Sequence, residues 1–523
     1  MTQRIRHELH YGNRVMPCLA DRPPHVDAMF REAVSRGPGA TAIVDGTQRI
    51  TYAALDEMVG HIAANLAGTG IAKGDRIATL LGNGVPAIAV TLACARLGAI
   101  LVAMNIRQRR PETEYALNNS GAVALVHDAA MLPHLPDPVA VPALRHRFSI
   151  GPDTGAALLA DSPPAPQGSV DEDDPFCILY TSGTTGRPKG AVLTHLSVVH
   201  SCLNYEHGLG LRRGDRGVLA VPASHVTGLV AIVLSLIRVG GCIVVMAGFK
   251  AREYLELVAA ERITYSLMVP AMYNLCLRDP DFAAFNLSSW RVGGFGGAPM
   301  PEATIEQTAR SLPGLTLHNI YGSTETSSPV TIMPTGAIAA RPQSVGVALP
   351  CCDIRIMDDG GREVPSGAAG ELWIAGPMVA PRYWQDPAAT ETGFIHGYWL
   401  SGDIGSVDAD GFVQVFDRKK DMVNRGGFKI YTIEVENALS HMPHVVEAAV
   451  VARPCPVLGE RSEAFVVVNA PDVSVSDVRE FCAARLSDYK VPDFVSILHT
   501  PLPRNANGKL QKSELRARFG GPS

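Results

Sequence analysis

Through its first half the chain alternates short apolar runs of strand length with longer stretches of helical spacing. That alternation restricts the fold more than any single residue does. Residues 41–44 and 77–81 read as strands, and 52–66 between them has a helical period. Residues 85–97 are apolar almost all round, as in a buried helix, and 100–104 follow as a strand. Residues 111–119 predict a helix and 122–127 another strand. A β-α-β-α order predicts a largely parallel sheet covered by helices. Residues 151–175 are rich in Pro, Gly, Ser and acid, and read as a surface loop. The alternation then resumes: helix 196–204, strand 217–221, helix 230–236, strand 242–245.

From about residue 345 the pattern shifts to short strands with Gly and Asp turns (353–357, 370–374, 411–415), which predict a small β-barrel or antiparallel subdomain. After Asp417 comes the basic run Arg418-Lys419-Lys420. The rest reads as a compact α+β unit: helix 433–439, strands 445–452 and 463–469, helix 476–486, strand 494–498. The expected division is therefore 1–417 and 418–523, an α/β body and a smaller α+β domain. From Arg418 onward there are 15 basic and 12 acidic residues, so the small domain is mildly basic.

Composition excludes several classes. Of 523 residues 46% are apolar and 19% charged, below the usual ~25%, so a large core is available. The net charge of −5 implies no nucleic-acid partner and no anionic-membrane affinity. The ten Cys are dispersed apart from Cys351-Cys352 and form no C-x-x-C, so they read as reduced thiols. No apolar stretch resembles a signal peptide, and the longest run, 227–237, is too short for the ~20 residues of a membrane span. A cytoplasmic protein is expected. Fifty Gly and 38 Pro suggest many turns, or backbone lying close to a ligand.

Five segments carry chemistry. Tyr180-Thr-Ser-Gly-Thr-Thr-Gly-Arg-Pro-Lys189 follows an apolar strand. Gly183 and Gly186 let the backbone turn, Thr181, Ser182, Thr184 and Thr185 offer hydroxyls, and Lys189 offers a cation. Such a loop suits a polyphosphate, and its bland alternative is a Gly/Thr surface loop. The Walker spacing is absent. Tyr321-Gly-Ser-Thr-Glu325-Thr326, at a strand's end, places a carboxylate where Mg²⁺ could sit, or is an ordinary turn. Gly293-Gly-Phe-Gly-Gly-Ala298 suggests backbone against a flat ligand, or a bulged strand end. Asp403, after Trp399-Leu-Ser-Gly, could accept ribose hydroxyls. Lys509, in Pro501–Lys509, is on its own an exposed loop lysine.

In this order and at these separations the segments resemble the adenylate-forming superfamily of acyl-CoA synthetases, peptide-synthetase adenylation domains and luciferases. The resemblance runs from near Tyr52 to Lys509. It implies an N-terminal domain of two α/β lobes plus a small β-barrel, and a mobile C-terminal domain. It also implies activation of a carboxylic acid with ATP and Mg²⁺, then transfer to coenzyme A. Carried over, Thr181, Ser182, Gly183, Thr184, Thr185, Gly186 and Lys189 would hold the β- and γ-phosphates. Glu325 would bind magnesium and Thr324 would contact the α-phosphate. Tyr321, Gly322, Gly296, Gly297 and Ala298 would frame the adenine, and Asp403 and Arg418 would take the ribose. Lys509 would be the catalytic cation, Lys420 the hinge, and Gly426, Gly427 and Lys429 would line the thiol tunnel.

The segment 221–228 resembles the family's Pro-Leu-Phe-His-x-x-Gly with Ser224 for the aromatic residue, which makes His225 the gate of the acyl pocket and Gly228 its neighbour. Met272, Tyr273, Phe295 and Thr326 are expected pocket walls. Peptide-synthetase domains carry an Asp where His225 stands, and no Arg or Lys points to the pocket. Aromatic, alicyclic or medium-chain acids are therefore favoured over amino acids and dicarboxylates. Thr432 in place of the family's common Pro is expected to loosen its loop slightly. A free-standing enzyme loading a carrier protein is the alternative reading. The resemblance admits a homodimer without any residue pattern demonstrating one.

Overall fold

The computed structural model describes residues 4–151, 155, 158, 160–163, 169–181, 188–504 and 510–518. Two sheets with helices between them form the body. The first has six strands in the order Lys189–Thr194, Pro175–Thr181, Ile100–Ala103, Arg76–Leu80, Ala124–Asp128, His146–Ile150. Only its first pair is antiparallel.

The second sheet has a parallel run: Thr316–Tyr321, Val292–Gly296, Tyr265–Met268, Arg216–Leu219, Cys242–Val245, Thr41–Asp45. Past Thr316–Tyr321 it continues antiparallel through Thr331–Ile332, Ser344–Ala348, Phe412–Arg418, Tyr398–Val407, Gly370–Ala375 and Asp353–Met357. The expected small β-barrel thus takes the form of antiparallel strands that prolong the edge of the second sheet.

The largest core lies between the sheets. Helices Val26–Arg36, Tyr52–Gly68, Val85–Leu97 and His195–Leu209 fill it. In Val85–Leu97 every residue but Pro86 and Arg96 is buried, as its all-round apolarity requires. A second core behind the second sheet takes helices Ala251–Ala260, Pro270–Leu277 and Glu302–Ser311.

Residues 227–234 form a π-helix continued by the α-helix Ser235–Val239, where spacing alone predicts a plain α-helix. Such wider turns are rare and concentrate at functional sites. The C-terminal sheet orders Phe428–Ile430, Val423–Arg425, Gly459–Val468 and Val445–Cys455, with Phe494–Leu498 parallel to Gly459–Val468. An antiparallel hairpin, Ile5–His10 with Arg14–Leu19, precedes the first helix and was not expected. No helix among the described residues is long and apolar enough to cross a membrane.

Candidate active site

Three of the segments begin at the carboxyl ends of parallel-paired strands, at Thr181, Gly296 and Tyr321, the usual ligand crevice of open α/β sheets, while Asp403 and Arg418 lie on the antiparallel strands beyond. Thr181 ends one strand of the first sheet and pairs with Lys189 on the next. Ser182, Gly183, Thr184, Thr185 and Gly186 lie outside the described residues, as does Lys509. Lys189 Nζ stands 5.2 Å from the centre of the Tyr383 ring. The Tyr383 hydroxyl donates to Glu325 Oε1 at 3.0 Å, and Ser323 Oγ donates to Glu325 Oε2 at 2.7 Å. Glu325 is buried and follows strand Thr316–Tyr321 of the second sheet. Lys189, Tyr383 and Glu325 therefore link the two sheets. Burial first and the Glu325 carboxylate second push the Tyr383 phenol upward, so it stays a donor at neutral pH.

A second carboxylate lies on strand Tyr398–Val407. Asp403 is 3% exposed, its Oδ2 accepts from the Tyr321 hydroxyl at 2.6 Å, and its Oδ1 meets Arg418 Nε at 2.7 Å. Asp403 and Arg418 are cross-strand partners, so sheet register sets the pair. The Asp403 charge holds the guanidinium above its ordinary range, and burial with the same charge raises the Tyr321 phenol well above its own.

Gly296 closes strand Val292–Gly296. A Cβ there would lie 2.4 Å from Ile320 O, so the two backbones touch as only glycine permits. Gly297 and Ala298 follow, level with Tyr321 and Gly322 on the next strand. Thr324 and Glu325 share one short turn with Thr326, whose Oγ1 accepts from Ser323 N at 2.9 Å.

His225 stands at the entry of the π-helix, with its Nδ1 3.2 Å from Thr227 Oγ1. A Cβ on Gly228 would lie 2.2 Å from Pro222 O, so this turn is tight. Asn83, overlooked by sequence reasoning, pins the segment. Its Nδ2 donates to Leu219 O, Val221 O and Met246 O, each at 3.1 Å, and its Oδ1 accepts from Ala223 N at 2.9 Å. A lone Asn in Gly82-Asn83-Gly84 carries no signal that separates it from a turn residue. Tyr383 was likewise overlooked, since Arg-Tyr-Trp before Gln-Asp-Pro reads as a loop.

Three of the expected pocket walls, Met272, Tyr273 and Phe295, share a core, but it lies on the other side of the sheet from Gly294. Gly294 faces Leu267 and Ile320, in the core that holds the π-helix. Met272, Tyr273 and Phe295 pack in the core behind the sheet, and the Tyr273 hydroxyl donates to Gly294 O at 3.0 Å. Alternation along a strand forces this, because Phe295 must point away from the side Gly294 and Gly296 face.

Gly426 and Gly427 form the two-residue turn of the hairpin that ends in Lys429, held by Gly426 N donating to Leu458 O at 2.8 Å. Lys420 is exposed, beside Lys419, which pairs with Asp359 and Glu371.

Thr432 overturns its expectation. It is fully buried. Its N–H and hydroxyl both donate to Asp417 Oδ2, the latter at 2.7 Å, and the hydroxyl accepts from Lys512 Nζ at 2.6 Å. Lys512 also pairs with Glu436 at 2.7 Å, and Arg516 pairs with Asp421. Threonine therefore fastens the segment after Asp417, where proline could not donate.

The chain matches the AMP-binding enzyme profile over residues 30–384 and the AMP-binding enzyme C-terminal domain over 434–509. It belongs to that family and is an adenylate-forming enzyme. It is 36% identical over 486 residues to a feruloyl-CoA synthase of an Amycolatopsis species, covering 92% of this chain and 96% of that protein. It is 33% identical over 505 residues to a Mycobacterium tuberculosis long-chain-fatty-acid–CoA ligase, covering 94% and 98%. The ATP-bound structure of MatB from Rhodopseudomonas palustris superposes with a TM-score of 0.88 at 29% identity, over 95% of this chain and 99% of that one. Within the family it falls among the AMP-forming acid–thiol ligases, the acyl-CoA synthetases.

Proposed function

We propose that this chain couples an apolar monocarboxylic acid to CoA through an acyl-adenylate. The observation that carries the reading is two buried carboxylates served from the end of strand Thr316–Tyr321: Asp403 accepts from Tyr321, its last residue, and Glu325, four residues on, accepts from Tyr383, whose ring Lys189 approaches. A free carboxylate resists a thiol because oxide is a poor leaving group. In the first half-reaction its oxygen attacks the α-phosphorus of ATP, and the bond to pyrophosphate breaks. In the second the CoA sulfur attacks the acyl carbon and AMP leaves.

The Thr181–Lys189 loop and Lys189 take the β- and γ-phosphates. Thr324 meets the α-phosphate. Tyr321, Gly296, Gly297 and Ala298 frame the adenine, and Asp403 with Arg418 takes the ribose. Glu325 fits a magnesium ligand: the neutral hydroxyls of Tyr383 and Ser323 orient its two oxygens and leave each a lone pair for a cation. Bound there, Mg²⁺ supplies charge neutralisation to the phosphates. Lys509 places a cation where negative charge grows in the displacement. The domain 418–523 swings about Lys420, withdrawing Lys509 and bringing Gly426, Gly427 and Lys429 to the thiol.

Support for an apolar acid comes from the side-chain-free strip of Gly294 and Gly296, flanked by Leu267 and Ile320, in the same apolar core as Leu229 and Val230 of the π-helix that His225 enters. The relatives' names, a feruloyl-CoA synthase and a fatty-acid ligase, also point to apolar acids. ATP and CoA as substrates favour the cytoplasm, and sedimentation of the purified chain decides between monomer and homodimer.

A panel of aromatic, alicyclic, medium-chain and dicarboxylic acids, assayed for pyrophosphate release with and without CoA, tests the reading. Thioester from apolar monocarboxylates is expected. Adenylate that never passes to CoA overturns it in favour of a carrier-protein acceptor. Lys509→Ala should abolish adenylate formation yet spare thioester formation from supplied acyl-adenylate; equal loss of both halves contradicts the swinging domain.

A further inference from the structure

The N-terminal hairpin carries a polar cluster that the ligase chemistry does not use. Strands Ile5–His10 and Arg14–Leu19 pair with Glu8 opposite Met16 and Arg6 opposite Cys18. The pleat therefore turns Glu8, His10 and Cys18 to one face, with Glu8 and Cys18 as diagonal neighbours. That face rests on helix His195–Leu209, where Met16 and Cys18 pack on Leu196. Cys18 is fully buried and His10 is 6% exposed. One ligand atom from each of Glu8, His10 and Cys18 lies within 4.8 Å of the others.

The histidine is already oriented. His10 Nδ1 bonds Asp173 Oδ1 at 2.8 Å, while Oδ2 of the same carboxylate accepts from Tyr11 N at 2.6 Å. Its other nitrogen, Nε2, is buried and has no hydrogen-bond partner among the described residues; Glu8 Oε2 lies 3.5 Å away. A carboxylate on one imidazole nitrogen, with the other left bare beside a thiol and a carboxylate, is the arrangement that metal-ligating histidines show. A buried polar atom without a partner is costly and calls for an explanation. Across the interface His200 is also fully buried, with both ring nitrogens unpartnered among the described residues, and near enough to feel the charges of Arg22, His10 and Glu8.

We infer that Glu8, His10 and Cys18 form a binding site for a borderline divalent cation of the Zn²⁺ class, fastening the N-terminal hairpin to the body. The donor set of sulfur, imidazole nitrogen and carboxylate oxygen is that of zinc, and unlike the all-oxygen set that magnesium takes. On binding, the Cys18 thiol gives its proton to solvent and its sulfur bonds the metal.

Arg22 is the rival cation, donating to both oxygens of Glu8 at 2.9 and 2.6 Å and to both oxygens of Glu172 at 2.9 and 2.6 Å. Glu8 Oε1 also accepts from Arg6 Nε at 2.6 Å and is filled, whereas Oε2, the oxygen nearer His10, accepts from Arg22 alone and keeps a lone pair; the bond to Glu172 holds Arg22 in place. His200, which feels the charges of His10 and Glu8, is a candidate for a fourth position.

The tag-free full chain, dialysed against metal-free buffer and titrated with Zn²⁺ or Co²⁺, tests this. We expect one Zn²⁺ retained per chain by elemental analysis. With Co²⁺ we expect a near-ultraviolet sulfur-to-metal charge-transfer band, which an ion held at the all-oxygen Glu325 site cannot give. Cys18→Ser should remove the band, and Asp173→Asn, which keeps all three ligands, should weaken the metal about 10–100-fold. Zn²⁺ should raise the melting temperature of the wild-type chain and not that of His10→Gln. A folded wild-type chain that retains no metal and shows no band overturns the inference, leaving Arg6 and Arg22 as Glu8's whole complement. A band that survives in Cys18→Ser also overturns it.

Discussion

Replacing Thr432 by valine keeps the side chain's volume and branching but removes the hydroxyl that joins Asp417 to Lys512. Two hydrogen bonds are lost, at 2.7 and 2.6 Å, both to charged partners in a fully buried position. Such bonds contribute about 1.5–3 kcal/mol each. Lys512 keeps Glu436 at 2.7 Å and still feels Asp417, so the lower end applies and we expect a loss of about 3 kcal/mol. Thr432→Pro separates the second half of the clasp. Thr432 is the first residue of helix Thr432–Ser440, a position where proline is normally welcome, and Tyr431 before it is already extended at φ −80°. Proline should therefore be harmless to the helix and costly only through the lost N–H to Asp417 and the lost hydroxyl. Urea unfolding of the full chain, followed by the fluorescence of Tyr431 and Tyr489 replaced singly by Trp, reads the C-terminal domain. With a slope of about 2 kcal/mol per molar, its midpoint should fall by about 1.5 M in Thr432→Val and further in Thr432→Pro. A valine variant within about 0.5 kcal/mol of the parent, or a proline variant more stable than it, refutes the clasp.

Tyr383→Phe removes one hydroxyl from Glu325 and should lower acid-dependent pyrophosphate release about tenfold, with a higher Mg²⁺ requirement and unchanged thioester formation from supplied adenylate. Unchanged magnesium dependence would count against it. Asn83→Ala strips three hydrogen bonds from the segment before His225 and a fourth from Met246, and should shift the ratio of rates between long and short acids, with ATP affinity kept; selectivity identical to the parent's would show that the pin is immaterial. Burial holds the His195 imidazole down to about 3 from its ordinary 6.5. The unfolded chain thus binds the extra proton, so stability is intact above about 6.5 and falls as pH drops toward 3, by at most about 1.4 kcal/mol per unit. His195→Asn should flatten that slope in urea midpoints measured from pH 7 to 4.

Periodicity carried the framework because the physics behind it is local. An all-round apolar run such as 85–97 can only be a buried helix, and strand 242–245 is found with the bounds its pattern indicates. The glycine and carboxylate segments were legible for a related reason: backbone contact and charge at strand ends demand particular residue types. Register and facing were not legible. Phe295 sits one residue from Gly294 and Gly296, yet the pleat sends it to the opposite core from His225's segment. Tyr383 lies 58 residues from the glutamate it holds, and Asn83 lies 136 or more from the carbonyls it binds.

By itself the sequence determined the two-part α/β and α+β architecture and the order of the glycine and carboxylate segments, since both follow from neighbours along the chain. Only the tertiary structure decided that Thr432 fastens rather than loosens, and that Glu8, His10 and Cys18 meet Asp173. Those outcomes depend on which distant groups share a buried space, and burial is what turns an ordinary hydroxyl, imidazole or thiol into a partner that must be satisfied.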